Sequence, residues 1–257
     1  MNYKHKEVKM KKKYYLIIIL ITILTAGIFS VHKVINDFYD KNVPILAYHV
    51  ISDDPKSDME VSTNNFKKQM QFLHDHHFHV MSMKELENFK KSKDVIKGKK
   101  IVITFDDGDE SYYTKALPIM EEYHFPSVNF VITSKIGLKN HLTKEQFDEL
   151  KDNKLVELES HSNLLHHRDK AKSKEYDLYN DDLKANKEYH FKYYAYPFGI
   201  TNEEYVSALK DNDIHMAFKY APSHWMNIDD DDYLLPRVPI YNSTSFFKFI
   251  LKVLIKR

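Results

Sequence analysis

A chain of 257 residues with 38 Lys+Arg against 37 Asp+Glu carries a formal net charge of +1, so no global field draws it to nucleic acid or to a strongly acidic partner. It has no cysteine, which excludes disulfides, thiolate metal ligands, a cysteine nucleophile and a lipidated amino-terminal cysteine. Any metal site must use histidines and carboxylates, and the length suits one domain around a single core.

The chain opens on Lys4, Lys6, Lys9 and Lys11 to Lys13, followed by an apolar run from Tyr14 to Phe29. A basic flank before an apolar stretch reads as an export signal, and its length lies between a signal-peptide core and a membrane span. Cleavage near Ala26 or Ser30 therefore competes with retention as a membrane anchor. The positive-inside rule places the bulk of the chain outside the cytoplasm in either case, secreted, at the cell surface or anchored. Residues 1–30 are read as this basic and apolar leader, 31–42 as a linker, and 43–257 as the domain.

Extended and helical signals then alternate. Val43 to Ile51 is the first strand-like run. Phe66, Met70 and Leu73 repeat at helical spacing behind Ser62-Thr63, His77 to Met81 look extended, and Ser82-Met-Lys-Glu85 is a capping box opening the next helix. Ile101 to Phe105 is a strand, Tyr112 to Tyr123 a helix, and Ser127 to Ile132 a strand. Thr143-Lys-Glu-Gln146 caps a helix, and Leu155 to Ser160 extend toward a histidine. A helix over Asp182 to Tyr189, a strand at Tyr193 to Tyr196, a helix capped by Thr201 and Glu204, and strands at Ile214 to Phe218 and Val238 to Tyr241 follow. Such alternation predicts βαβ units and a parallel sheet, and the strand count favours closure into a barrel. Asp229 to Asp232 is a solvated charge run lacking the spaced ligands and glycine of a calcium loop. The carboxyl-terminal stretch from Ser245 to Arg257 reads as a last helix docking on the barrel.

Chemistry gathers at the carboxyl ends of parallel strands. Ile101-Val-Ile-Thr-Phe-Asp-Asp-Gly108 drives a buried strand into two adjacent carboxylates, which are costly there unless something cationic meets them. Glu159-Ser-His-Ser-Asn-Leu-Leu-His-His167 follows another strand, with His161 and His166 five apart. One carboxylate and two imidazoles make a three-ligand site with a position open for water. The chain has 15 histidines, so either piece alone is weak and the combination carries the signal. Tyr193-Tyr-Ala-Tyr-Pro-Phe-Gly199 adds aromatics and a tight turn, and Tyr48-His49 puts a histidine at the end of the first strand.

Thr104-Phe-Asp-Asp-Gly108, His161-Ser162 with His166, and Tyr196-Pro-Phe-Gly199, in that order, resemble the first three motifs of the polysaccharide deacetylase (NodB-homology, carbohydrate esterase 4) superfamily. With Tyr48-His49, the five-residue histidine spacing and the leader, the chain is most similar to the branch of poly-β-1,6-N-acetylglucosamine N-deacetylases of intercellular-adhesin type. The resemblance runs from Pro44 to Tyr241.

It implies a distorted α/β barrel of (β/α)7 type behind the leader. It further implies Asp106 as general base, Asp107, His161 and His166 as ligands of a divalent metal, and His49 as general acid, with His215 and His224 as substitutes for that role. Zinc is the expected metal, with cobalt or nickel as alternatives, and Tyr196, Pro197, Phe198 and Gly199 are the expected substrate-binding stretch, a backbone N–H near Phe198 helping to hold the oxyanion. The arginine that pairs with the base in the family has no counterpart in Phe191-Lys-Tyr-Tyr-Ala195. Lys192 cannot make a bidentate contact, so Arg237 in Pro236-Arg-Val-Pro239 is expected to supply it. The family's late tryptophan motif is missing too, since Trp225 lies in a Ser-His-Trp-Met context.

The implied reaction is removal of N-acetyl groups, with release of acetate, from an exported N-acetylglucosamine polysaccharide, the membrane being a partner through the leader. The alternatives are a peptidoglycan or chitooligosaccharide deacetylase and a catalytically inactive glycan-binding surface protein. The oligomeric state is left open.

Overall fold

Apolar, β-branched runs shielded on both faces form parallel strands, and seven of them close on one another in a computed structural model that describes residues 20–31, 33–34, 38–93 and 96–255. In chain order these are β1 (Ile45–Tyr48), β2 (Lys100–Phe105), β3 (Ser127–Val131), β4 (Val156–Ser160), β5 (Tyr193–Ala195), β6 (Met216–Tyr220) and β7 (Leu235–Pro239). β1 pairs with β2 through Ile45↔Val102 to Tyr48↔Phe105 and with β7 through Val238↔Leu46, which shuts the ring. The fold is the expected (β/α)7 barrel.

The helices between them are α1 (Thr63–Asp75), α2 (Met83–Ser92), α3 (Leu117–Glu122), α4 (Lys144–Asp152), α5 (Arg168–Ala171), α6 (Tyr176–Ala185), α7 (Glu203–Asp211) and α8 (Phe246–Leu254). Their starts follow from local chemistry. Ser62 accepts from Asn65 N–H to cap α1, and both expected capping boxes form, Ser82 with Glu85 on α2 and Thr143 with Gln146 on α4.

Successive strand residues face opposite sides, and the two sets go to different cores. Ile45, Val102, Val128, Phe130, Tyr193, Ala195, Met216, Phe218 and Leu235 form the barrel interior together with Met83, Leu86 and Phe89 of α2, which closes the end where the strands begin. The other set faces the helices. Leu46, Tyr48, Ile103 and Phe105 meet Phe66, Met70 and Leu73 of α1, while Tyr194, Tyr196 and Ala217 meet α6 and α7.

Several expected boundaries move. The helix expected over Asp182 to Tyr189 begins at Tyr176, and the one expected over Tyr112 to Tyr123 opens with a π-helical turn at Tyr112–Ala116. The last two strands shift to Met216–Tyr220 and Leu235–Pro239. Short strands outside the ring pair Asn42–Val43 with Met226–Asn227 and Val50–Ser52 with Glu60–Ser62.

Residues 1–19 of the expected leader lie outside the described residues; residues 20–31 are helical and exposed. No helix among the described residues is long and apolar enough to cross a membrane. The expected linker, 31–42, gives way to packed chain at Phe38, whose ring lies 5.5 Å from that of Trp225, and Tyr39 Oη donates to Leu254 O at 2.8 Å. Trp225 Nε1 in turn donates to Lys252 O at 2.8 Å, so α8 docks on the barrel as expected.

Candidate active site

The alternation that fills the barrel also aims its upper rim. On β2, Val102 and Thr104 point inward, and Asp106 follows in the same phase because its N–H still bonds Tyr48 O at 2.9 Å, prolonging the β1–β2 ladder. His49 continues the inward series of β1, Tyr220 that of β6 and Arg237 that of β7. Asp107 would face outward by the same rule, but its φ of +73° turns the chain. The next residue, Gly108, has φ +69°, and a Cβ there would press on Val131 Cγ1 at 3.2 Å, so the motif needs glycine at that turn.

Asp106 and Arg237 are both fully buried and form a two-pronged pair, Nη1 to Oδ1 at 2.7 Å and Nη2 to Oδ2 at 2.8 Å. Nη1 also donates to Thr104 Oγ1 at 3.0 Å, and Thr104 donates to Leu46 O at 2.7 Å. Burial by itself would raise the Asp106 carboxyl, but the guanidinium, helped by the imidazoles of His161 and His49, holds it well below the usual carboxylate range. The carboxylate is therefore ionised and locked in place. Tyr220 Oη donates to its Oδ2 at 2.6 Å and lies 2.8 Å from His49 Nε2.

Beside this group Asp107 Oδ1 lies 3.5 Å from His161 Nε2 and 3.2 Å from His166 Nε2. His161 N–H bonds Val131 O, carrying the β3–β4 ladder one residue beyond the strand, and its Nδ1 lies 2.8 Å from Ala195 O. A carbonyl only accepts, so Nδ1 carries the hydrogen and Nε2 presents a bare lone pair to the cleft. Burial lowers the His161 pKa to about 4, keeping the ring neutral. Burial opposes ionisation of Asp107 too, yet the facing imidazole of His166, with those of His161 and His49, brings it down to about 2.

Asp107, His161 and His166 are the one group among the described residues whose ligand atoms converge for a metal, all within 4.8 Å of one another. Asp107 Oδ1 is buried with no hydrogen-bond partner. An orphaned carboxylate oxygen facing two imidazole nitrogens, one of them held bare, fits a divalent cation with a further coordination position open.

The structure thus brings His49, Asp106, Asp107, His161, His166 and Arg237 together. It does not bring the whole expected substrate stretch. The Tyr196 ring faces the helices, 5.1 Å from Tyr205, and its hydroxyl donates to Tyr233 O; it continues the outward series of β5. Pro197 is buried in the turn. Phe198, at φ +58°, lays its ring 4.6 Å from that of His166, and Arg168 stacks over the same ring at 4.9 Å. Gly199 supports Tyr220 from behind. The substitute acids are elsewhere, His215 being bonded to Glu87 at 2.8 Å near the start of β6 and His224 exposed on the loop after it. Sequence reasoning missed Tyr220. Its signal was the inward alternation of Met216 and Phe218, carried two residues past the strand end that was read.

A family model described as polysaccharide deacetylase matches residues 93–217. The chain is 31% identical to a poly-beta-1,6-N-acetyl-D-glucosamine N-deacetylase of Staphylococcus epidermidis, covering 83% of this chain and 84% of that one. In fold it is similar to a Streptococcus pyogenes deacetylase, PplD, in complex with acetate, with a TM-score of 0.75 at 21% identity over 82% of this chain and 98% of that one. It is also similar to IcaB from Ammonifex degensii, with a TM-score of 0.72 at 22% identity over 83% and 97%.

Proposed function

The chain belongs to the polysaccharide deacetylase family and is a polysaccharide N-deacetylase, and on that premise we propose that it hydrolyses the acetamides of an exported poly-β-1,6-N-acetylglucosamine with a divalent metal at its centre. The observation that carries the reaction is the convergence of Asp107 Oδ1, His161 Nε2 and His166 Nε2 beside the buried Asp106–Arg237 pair. The polymer rests on the S. epidermidis relative, which is named for it.

Asp107, His161 and His166 would hold the metal, which would supply Lewis-acid activation of water and of the acetamide carbonyl; zinc suits a set of one carboxylate and two imidazoles. Asp106, kept ionised and oriented by Arg237, accepts the proton of the attacking water. It stands outside the ligand set because both its oxygens are engaged by the guanidinium. His49 donates a proton to the departing amine, without which an amide does not cleave. Acetate and a glucosamine unit leave. Phe198, beside His166, gives the sugar an apolar wall, and Arg168, whose guanidinium lies over the same ring, stiffens it.

Action on an exported polymer places the catalytic domain outside the cytoplasm. The exposed apolar residues Leu20, Ile23, Leu24 and Ile28 of the helical stretch 20–31 support export or anchoring by the amino-terminal segment.

The test is acetate release by the full chain, supplied with zinc, on β-1,6-linked N-acetylglucosamine oligomers, β-1,4-linked oligomers and peptidoglycan. The β-1,6 oligomers are expected to be turned over best. Faster release from either of the others would assign the enzyme to that substrate, and none from any of the three would leave a glycan-binding protein.

A further inference from the structure

Among the described residues, Tyr220 is the group that touches both proposed proton carriers. Its Oη lies 2.6 Å from Asp106 Oδ2 and 2.8 Å from His49 Nε2, atoms that are themselves 3.8 Å apart. Both Asp106 oxygens accept from the Arg237 guanidinium, so the carboxylate accepts from the phenol as well and the phenol hydrogen is committed to it. The phenol oxygen then turns a lone pair to the imidazole, and His49 Nε2 must carry the hydrogen of the second bond. His49 Nδ1 is buried and has no partner. Tyr220 therefore supplies the hydrogen bond that selects one face and one tautomer of that ring.

The phenol is itself held firmly. Arg237 lies over its ring, 5.2 Å from guanidinium carbon to centroid. Gly199, at φ +68°, approaches its backbone so closely that a Cβ would stand 2.9 Å from Tyr220 N. Ala221 N–H bonds Arg237 O at 2.8 Å, keeping β6 and β7 in step where both residues enter the site. The Pro-Phe-Gly turn, expected to bind substrate, thus also supports Tyr220.

We propose that Tyr220 is a positioning residue that ties His49 to Asp106 and fixes His49 as its Nε2–H tautomer. This rests on the base and acid roles assigned above. The two carriers serve one acetamide at different moments: Asp106 takes a proton from water, and His49, carrying a further proton on Nδ1 as imidazolium, gives that proton to nitrogen and returns to its neutral Nε2–H form. One hydroxyl between them sets their separation, so that neither has to search for its place in each turnover.

The experiment uses the full chain, metal-free and zinc-loaded, with Tyr220→Phe and with 3-fluorotyrosine introduced at position 220, which retains the hydroxyl. Long-range ¹⁵N–¹H spectra read the His49 tautomer, and kcat and KM are measured on a β-1,6-linked N-acetylglucosamine oligomer. Tyr220→Phe is expected to abolish the pure Nε2–H signature and to lower kcat about 10²-fold, the order of loss from a misplaced catalytic group, with KM nearly unchanged. The fluorinated hydroxyl should restore both. An unchanged His49 signature in Tyr220→Phe, or a rise in KM with kcat intact, would overturn the proposal. Asp106→Asn and His49→Ala assayed alongside separate the two levels: full turnover in either removes the catalytic roles, while the spectra still decide the tie in the metal-free protein.

Discussion

The two ends of the barrel both bury charge and use it in opposite ways. Where the strands begin, Glu87 is held by the side chains of Lys91, Tyr193 and His215, but other buried charges end on backbone. The Lys100 ammonium donates to the carbonyls of Tyr39 at 2.8 Å, Gly98 at 3.2 Å and Ile96. Glu157 accepts the N–H of Met83 at 2.6 Å, and Glu159, though next to last on β4, reaches the start of β5 to accept those of Lys192 and Tyr193 at 2.8 and 2.9 Å. Where the strands end, Asp106, Arg237, Tyr220 and His49 are tied to one another by side chains, and Asp107 Oδ1, His49 Nδ1, Arg237 Nε and Ser162 Oγ are buried without partners. Charge spent on backbone fastens loops and helices to strands. Charge held by side chains, with valences left open, can take a metal or move a proton.

The comparison breaks first at the ligands. Asp107→Ala, His161→Ala or His166→Ala is expected to lose metal and turnover together, because a three-ligand site has no redundancy. Metal content by elemental analysis and acetate release by assay are the measurements. A variant that keeps full metal occupancy removes its residue from the ligand set.

A smaller loss should separate the two aspartates. Asp106→Asn is expected to retain the metal while turnover falls ~10² to 10⁴-fold, the range for removal of a positioned general base. Metal lost along with the rate would mean that Asp106, despite its two bonds to Arg237, is a ligand.

Smaller again is a pH effect on the metal-free protein. The pKa of His161 is lowered by burial from 6.5 to about 4, so between those values the unfolded chain binds the proton that the folded one refuses. Stability therefore rises with pH through this window; the contribution is whole above pH 6.5 and disappears as pH falls toward 4. Denaturant midpoints at several pH values would measure the slope, and His161→Gln should flatten it. A slope unchanged in that variant would assign the acid sensitivity to another group.

What the sequence disclosed follows the same division. The motif at Thr104 to Gly108 and the two histidines were readable in combination, since adjacent carboxylates at the end of a buried strand call for a cation, and Arg237 through the resemblance, which asks for an arginine that Phe191 to Ala195 lacks. Tyr220 was missed despite its place in the inward alternation, since tyrosine is common in cores and Lys219 before it broke the apolar run. The start of β7 was hidden by Pro236, which lacks the N–H a central strand donates. Tyr196 entered the expected substrate stretch through the resemblance alone, whereas alternation along β5 sends its ring to the helices. The backbone-tied charges were silent. A lysine facing three carbonyls has no motif, because carbonyls are present at every position and only the fold gathers them.

Lys100 provides the sharpest test of that last point, with the smallest expected change in catalysis. Lys100→Met keeps the stem against Phe89, over whose ring the ammonium lies at 5.4 Å, and removes the donor from three carbonyls. A fully buried acceptor left without a partner costs about 1 to 3 kcal/mol and these carbonyls are partly buried, so a smaller fall in melting temperature is expected. Loosening is expected where Tyr39 enters, since its carbonyl is held at 2.8 Å by this side chain. Asp106 stands past the other end of the same strand and takes none of its hydrogen bonds from Lys100, so kcat and metal affinity should stay at wild-type values. Amide hydrogen exchange around Tyr39, read beside the assay, would show where the structure has loosened. If turnover fell as far as in Asp106→Asn while the protein remained folded, the ends of β2 would be coupled and the separation of scaffold charge from working charge would fail.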